Sequence, residues 1–279
     1  MITRFAPSPT GPLHLGHAYS AMLAHDMARD AGGTFLLRIE DIDQSRARPE
    51  WEALIFEDLH WLGLDWPIPV MRQSDRLPAY AKALRRLTEM GLTYPCTCSR
   101  ADIRAALAAP QEGAPLPGPD GLVYPGTCRG RAAVAGTAAI RLDMARAIDA
   151  AQGDKLSFTE TGERHRGIHS LGPVNLMERV GDIVLARPGL GTSYHLAVTV
   201  DDAAQGITKV IRGEDLFEAT QIHVVLQALL ELSTPTYCHH KLIRDQSGKR
   251  LAKRDDARAI RKYHEDGATP ADIRRMVGL

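Results

Sequence analysis

RFAPSPTGPLHLGH, residues 4–17, sets three prolines, two glycines and two histidines between a short apolar run at 2–6 and a helical pattern at about 17–31. Prolines fix φ and remove amide donors, while Gly11 and Gly16 let the backbone approach a ligand closely, so the stretch reads as a rigid turn. Outward from it, the helical pattern stops at Gly32-Gly33 and is followed by TFLLRI at 34–39. Strand, turn, helix and strand predict a βαβ unit and hence a parallel sheet. The second strand runs into IEDID, placing Glu40, Asp41 and Asp43 at the carboxyl edge of the sheet, where open α/β folds bind ligands. His14 and His17 stand three apart as the helix begins, beside amides and a dipole end that attract phosphate.

The chain has 279 residues, enough for two domains or for one large domain with an insertion. Hydrophobic residues at 44% and charged residues at 24% match a soluble globular protein, and no segment approaches the roughly 18 consecutive apolar residues of a spanning helix. The first residues lack a basic stretch followed by an apolar one, so the expected location is the cytoplasm. Net charge is zero, which argues against a surface coated with positive charge for nucleic acid. Residues 241–262 nevertheless carry nine Lys/Arg against three Asp/Glu, +6 locally and −6 for the rest. A polyanion could dock there; a solvated helix and loop is the alternative for that segment taken alone.

Helical patterns follow at 51–62 and 77–90, with a Gly/Pro-marked loop at 61–70. PQEGAPLPGPDG, at 110–121, holds four prolines and three glycines and reads as an excursion from the main domain. Beyond it come a strand AAIRLDM at 138–144 and a polar segment to about 172. YHLAVTV at 194–200 and ITKVIR at 207–212, joined by DDAAQG, are expected to pair as strands with acids at their turn. An apolar helix at 217–232, a basic loop and short helical pieces complete the chain. There is no repeat of solenoid length and no heptad pattern.

Two constellations carry chemistry. Neither a dinucleotide G-x-G-x-x-G nor a P-loop is present, but Lys253, in RLAKR within a Gly-containing polar loop, can reach in and neutralise polyphosphate charge. Four cysteines in so long a chain are not a disulfide framework. Cys96 and Cys98 in CTC, with Cys128 in YPGTC, can give three thiolates to a tetrahedral Zn²⁺. A fourth donor is then needed, His165 or His169 being candidates, and buried free thiols are the alternative. Cys238, beside His239 and His240, is a looser metal-ligand candidate whose neighbours read more simply as part of the loop leading into the lysine clamp.

With these residues in place, the chain resembles the class I aminoacyl-tRNA synthetases of the glutamyl type. HLGH stands at the HIGH position and RLAKR at the KMSKS position, joined in family order by APSPTG, RIEDID and YHLAVTVDD…VIRGED. The resemblance runs from Arg4 to about Asp256. It implies an α/β, Rossmann-like catalytic domain with a zinc-stapled insertion and a short α-helical C-terminal part. It also implies halves at 1–92 and 191–232, an inserted acceptor-binding-like subdomain at 93–190, and a KMSKS-like loop with a truncated stem-contact region at 233–279. Arg4, Ser8, Glu40, Tyr194 and Arg212 match the L-glutamate pocket. Arginine forks suit its carboxylates, Glu40 its ammonium, and Tyr194 and Ser8 offer hydroxyls. His14, Gly16, His17 and Lys253 match the ATP site, with His14, His17 and Lys253 as the catalytic groups that stabilise the transferring phosphates. The KMSKS-like loop is Arg250, Leu251, Ala252, Lys253 and Arg254, with Ala252 where a hydroxyl residue is common and Arg250 where lysine is common.

The resemblance selects Tyr124 as the fourth ligand beside Cys96, Cys98 and Cys128, one structural Zn²⁺ per chain. The chain stops some two dozen residues past its KMSKS-like loop, without the family's anticodon-binding domain, and so resembles the family's short glutamyl-queuosine branch. That branch activates glutamate with ATP and Mg²⁺ and attaches it to the queuosine base in the anticodon loop of tRNA(Asp). The implied protein is a cytoplasmic monomer with no membrane partner. A truncated enzyme charging a tRNA 3′ end and a non-catalytic glutamate- or tRNA-binding paralogue are the alternatives.

Overall fold

Strand β1 (Ile2–Phe5) and helix α1 (Leu15–Asp30) flank the proline-rich turn, and β2 (Thr34–Ile39) returns parallel to β1, from Ile2 opposite Thr34 to Phe5 opposite Leu37. The computed structural model describes residues 1–107, 117–131, 137–243 and 258–279. Gly33 is required where the two strands begin, because a Cβ there would stand 1.8 Å from the Met1 carbonyl oxygen. Ala18, Ala21, Ala24 and Ala28 of α1 are fully buried, and these small side chains let the helix lie close enough for Thr3 Oγ1 to donate to the Ala24 carbonyl at 2.8 Å.

The chain continues through α2 (Pro49–Trp61), β3 (Met71–Arg72), α3 (Leu77–Glu89), β4 (Thr93–Cys96) and α4 (Arg100–Leu107). Short β5 (Pro117–Gly118) and β6 (Gly121–Leu122) precede β7 (Ala139–Leu142) and α5 (Met144–Ala150). Next come β8 (Ser157–Glu160), β9 (Gly167–Ser170), α6 (Pro173–Asn175) with a π-turn to Val180, and β10 (Val184–Ala186). The last elements are α7 (Tyr194–Ala204), β11 (Lys209–Gly213), α8 (Thr220–Leu229), β12 (Thr236–His240), α9 (Ile260–Glu265) and α10 (Pro270–Val277). None of the helices among the described residues is long and apolar enough to cross a membrane.

β3, β2 and β1 form one parallel set; β11, β12 and β8 form another, with β9 antiparallel at its edge. The sets meet where Thr208 N donates to the Ile2 carbonyl at 3.0 Å, so β1 lies beside β11 and the strand order reverses between them. That reversal opens a crevice at the carboxyl ends of the strands. A separate antiparallel sheet, β10-β7-β4, carries the cysteine-bearing segment. The expected α/β class, the parallel sheet and the helices after β2 are all present.

One expectation is corrected. YHLAVTV is not a strand paired with ITKVIR: residues 194–204 form α7, and β11 pairs with β12 instead. Ser193 starts the helix, its side chain accepting from Leu196 N, and residues on nearly every face are buried, so alternation could not distinguish helix from strand. The polar segment before Gly172 is likewise structured, holding α5, β8 and β9. Cys238 lies inside β12 rather than in a loop.

The two acids read as turn residues are interior. Asp201, with no exposed surface, accepts from Gln73 Nε2 at 2.9 Å, Arg76 Nε at 3.0 Å and Tyr80 Oη at 2.7 Å, tying α7 to α3 and the segment before it. Removing one member of such a buried set leaves the others unpaired. D201A is expected to lower the unfolding free energy by about 3 kcal/mol or more in urea titration, with D201N intermediate; an exposed-site loss below about 0.5 kcal/mol would contradict this placement.

Candidate active site

The proline-rich turn is pinned from both sides: Glu40 N donates to the Pro7 carbonyl at 2.9 Å and Arg48 N to the Pro9 carbonyl at 3.0 Å. The turn delivers the chain into α1 through a reciprocal cap. His14 Nδ1 accepts from Gly16 N at 3.1 Å, and His17 Nδ1 accepts from His14 N at 3.2 Å. The two rings stack, centroids 3.8 Å apart. A neutral imidazole that accepts at Nδ1 carries its proton on Nε2, so each histidine keeps a donor there while the cap is made. Gly16 suits this arrangement, since a Cβ would crowd the His14 ring at 3.0 Å and the ring would have to give way.

A cavity of about 360 Å³ lies in the crevice between β1 and β11. Arg4, Glu40, Tyr194 and Arg212 line it, and so do His14, Gly16 and His17. Residues from opposite ends of the sequence therefore converge as expected. Ser8 is exposed and does not line the cavity. Lys253 and the rest of 250–254 lie outside the described residues. On either side of that segment, Ile243 lines the cavity and Ala259 bridges to His14.

Beneath the cavity is a buried charge cluster. Asp202 accepts from Arg4 Nε at 2.9 Å and Arg4 Nη2 at 3.3 Å, and from Arg38 Nη1 at 2.7 Å. Arg38, with no exposed surface, also reaches Glu40 Oε1 at 3.1 Å and Gln205 Oε1 at 2.9 Å. Burial alone would raise the Asp202 carboxyl; Arg4 and Arg38 overrule it and hold it at about 2. For Glu40 the balance is reversed: burial pushes its carboxyl above the usual range despite Arg38 and Arg4.

Arg212 is held differently. Its guanidinium donates to His239 Nε2 at 3.0 Å, His223 Nδ1 at 3.1 Å, Thr220 Oγ1 at 2.9 Å and the Leu216 carbonyl at 3.3 Å. Sequence reading missed Arg38, Asp202, His223, His239 and Glu160. The available signals were Arg38 two residues before Glu40, on the same strand face, and the doublets Asp201-Asp202 and His239-His240.

The cysteines also converge. Cys96, Cys98 and Cys128 place their sulfurs within 4.8 Å of one another, Cys98 and Cys128 at 3.4 Å. Tyr124 Oη lies 3.4 Å from both Cys96 and Cys98 Sγ and accepts from Cys128 N at 2.9 Å. Tetrahedral Zn–S bonds of about 2.3 Å imply S···S spacings of about 3.8 Å, so these donors fit a metal with little adjustment. The Arg141 guanidinium lies 3.9 Å over the Tyr124 ring, while burial and the neighbouring cysteines push the Tyr124 phenol above its ordinary range. His165 and His169 are not with them; they stack on Phe217 and Phe158 respectively. Asp182 anchors the unit, accepting from both Nε and Nη2 of Arg129 at 2.6 Å, from Tyr94 Oη and from Met144 N.

Comparison with known proteins matches this architecture. The family model described as tRNA synthetases class I (E and Q), catalytic domain, matches residues 1–116 and 169–279. A Glutamyl-Q tRNA(Asp) synthetase of Rhodobacter capsulatus is 62% identical over 100% of both chains. One from Nitratidesulfovibrio vulgaris is 40% identical over 97% of this chain and 83% of its own. Among solved structures, a glutamate tRNA ligase from Elizabethkingia meningosepticum, in complex with its amino acid, superposes with a TM-score of 0.76 at 27% identity. The match covers all of this chain but only 60% of that one. With the signature turn, the crevice and the cavity residues all in place, the chain belongs to the class I (E and Q) tRNA synthetase family, among its glutamyl-Q tRNA(Asp) synthetases.

Proposed function

We propose that this chain activates L-glutamate with ATP and transfers the glutamyl group to the queuosine base in the anticodon loop of tRNA(Asp), as a cytoplasmic monomer. The observation that carries the reading is the cavity in which an arginine with neutral partners, a half-buried glutamate and a histidine-capped helix start stand together. The full-length relative's name supports the acceptor.

In this reading Arg212 receives a substrate carboxylate, Glu40 pairs with the ammonium, Tyr194 supplies a hydroxyl, and Arg4 completes a pocket whose lining does not include Ser8. An oxygen of the α-carboxylate forms a bond to the α-phosphorus of ATP as the bond to pyrophosphate breaks. His14, Gly16 and His17 meet the phosphates with Nε2–H donors and helix amides, and Lys253 of the 250–254 loop adds a cation. Mg²⁺ bound by the nucleotide's own oxygens would supply further positive charge at the phosphates. A hydroxyl of queuosine's cyclopentenediol then attacks the acyl carbon and AMP leaves. No side-chain nucleophile is needed; positioning and charge stabilisation do the work.

Cys96, Cys98, Cys128 and Tyr124 would hold one Zn²⁺ that staples the insertion and takes no part in the chemistry. The domain division belongs to the same reading: halves at 1–92 and 191–232, an insertion at 93–190 and a clamp with stem contacts at 233–279. The break in the family match after residue 116 falls inside that insertion and supports it.

Purified protein is expected to catalyse glutamate-dependent ATP–pyrophosphate exchange and to label tRNA(Asp) that carries queuosine. Label on queuosine-free tRNA at the 3′ end would replace this acceptor, and glutamate binding without exchange would sink the enzyme reading.

The raised Glu40 carboxyl sets a pH dependence. The ammonium pairs with ionised Glu40, so affinity is full above the raised pKa and is lost as pH falls through it. KM for glutamate is expected to rise on acidification, starting above the pH at which an ordinary glutamate side chain titrates. E40Q removes that dependence and raises KM about 10- to 100-fold; an unchanged acid limb in E40Q would assign it to another group.

Elemental analysis is expected to find one zinc per chain. C98S is expected to lose the metal and melt at lower temperature, and a protein as stable after chelation as before it would exclude a structural role.

A further inference from the structure

Of the two arginines lining the cavity, Arg4 is neutralised by Asp202, and Arg212 has no carboxylate at ion-pair distance among the described residues. Its two hydrogen-bonded ring partners are histidines, one backed directly by a carboxylate and the other through a second histidine. On one side, Glu160 Oε2 lies 2.5 Å from His239 Nδ1, and Glu160 Oε1 accepts from His239 N at 3.0 Å and Gly162 N at 2.5 Å. On the other, His223 Nε2 lies 3.1 Å from His195 Nδ1, and His195 Nε2 lies 3.5 Å from Asp120 Oδ1. Glu160, His239, His223 and His195 are each 5% exposed or less.

Donor and acceptor logic leaves one consistent arrangement. Arg212 can only donate, so His239 Nε2 and His223 Nδ1 must be acceptors. His239 therefore carries its proton on Nδ1, toward Glu160. His223 carries its proton on Nε2, toward His195 Nδ1, and His195 in turn presents Nε2–H to Asp120. Both arms run outward from the guanidinium and end on an anion. Burial, the positive charge of Arg212 and neighbouring groups all push His223 well below its ordinary range, which keeps it neutral; burial also lowers His239. The carboxylates fix the tautomers without touching the arginine, and the imidazoles between them thin the attraction with distance. Of the guanidinium's five N–H groups, one on Nη1 has no partner among the described residues.

We propose that His239–Glu160 and His223–His195–Asp120 are two positioning arms that hold Arg212 as an uncompensated cation, and that this neutral-acceptor support makes the cavity select a carboxylate over its amide. The proposal rests on the reading that Arg212 receives a substrate carboxylate. A direct aspartate or glutamate partner would already satisfy Arg212, as Asp202 satisfies Arg4, and a neutral glutamine side chain would then compete on nearly equal terms.

The test compares H223D, which sets a carboxylate against Arg212, with H223N, which keeps a neutral acceptor, and with R212M, all in ATP–pyrophosphate exchange. H223D is expected to raise KM for glutamate at least about ten-fold more than H223N does, and to narrow the preference for glutamate over glutamine by a similar factor. KM for ATP should stay within about two-fold across the pair. Equal effects of H223D and H223N would overturn the proposal, while an R212M variant with unaltered glutamate KM would overturn the reading beneath it. Should H223D not fold, ¹⁵N NMR of the unsubstituted protein decides: neutral His239 protonated on Nδ1 and neutral His223 protonated on Nε2 are expected, and either imidazolium or the opposite tautomers defeats the proposal.

Discussion

Asp202 holding Arg4 and Arg38 is the interaction on which the site depends. An arginine without solvent contact, such as Arg38, needs its charge matched. Asp202, Glu40 and Gln205 do so by taking its Nη1 and Nη2 donors, Nε being without a partner among the described residues, and they join the ends of β1 and β2 to α7. The cluster leaves Glu40 at the cavity wall with one oxygen committed to Arg38. Any shift of α7 along its axis would break several of these contacts at once, so the helix can occupy only one register against the sheet. The hydrophobic core around it is permissive by comparison, because apolar contacts tolerate small slides that paired charges do not.

This cluster also explains what sequence reading could and could not recover. β1, the turn, α1 and β2 were legible because Pro and Gly punctuate them and their periodicities differ. α7 was not: it is buried on nearly all faces and rich in β-branched residues, so YHLAVTV imitates a strand. Asp201 and Asp202 then looked like turn residues, although burial with arginine partners is what keeps two adjacent acids inside a helix. Arg4, Glu40, Tyr194 and Arg212 were found through a family pattern, and they do share one cavity. Their supports, His239, His223 and Glu160, come from three separate elements and have no common spacing to read. The cysteines were legible from spacing alone, but their separation from His165 and His169 needed the fold.

Charge is divided unequally within the cavity. Along β1 and β2 the pairs cancel: Arg4 and Arg38 against Asp202 and Glu40. At the end of β11 stands Arg212, supported by neutral rings, and at the start of α1 stand two histidines whose acceptor nitrogens are spent on capping. The crevice thus offers an acceptor for a cation on one wall and donors for anions on the others. A zwitterion with an additional carboxylate, next to a polyphosphate, is the combination of charges that this distribution fits.

The segment between residues 93 and 190 is more than an attachment to this crevice. Its β8 pairs with β12 through Glu160 opposite Tyr237, so the hairpin with β9 extends the catalytic sheet, while the separate β10-β7-β4 sheet carries Cys96 at the end of β4. Glu160 and Asp120, the two anions at the ends of the arms around Arg212, both come from this segment. Asp182 ties the cysteine-bearing loop through Arg129 to β4 and α5, and Val184 N beside it donates to Asp120 at 3.3 Å. The same segment that carries the cysteines therefore also supplies, through contacts of 3.3 Å at Val184 N and 3.5 Å at His195, the anion that ends the longer arm to the guanidinium in the cavity.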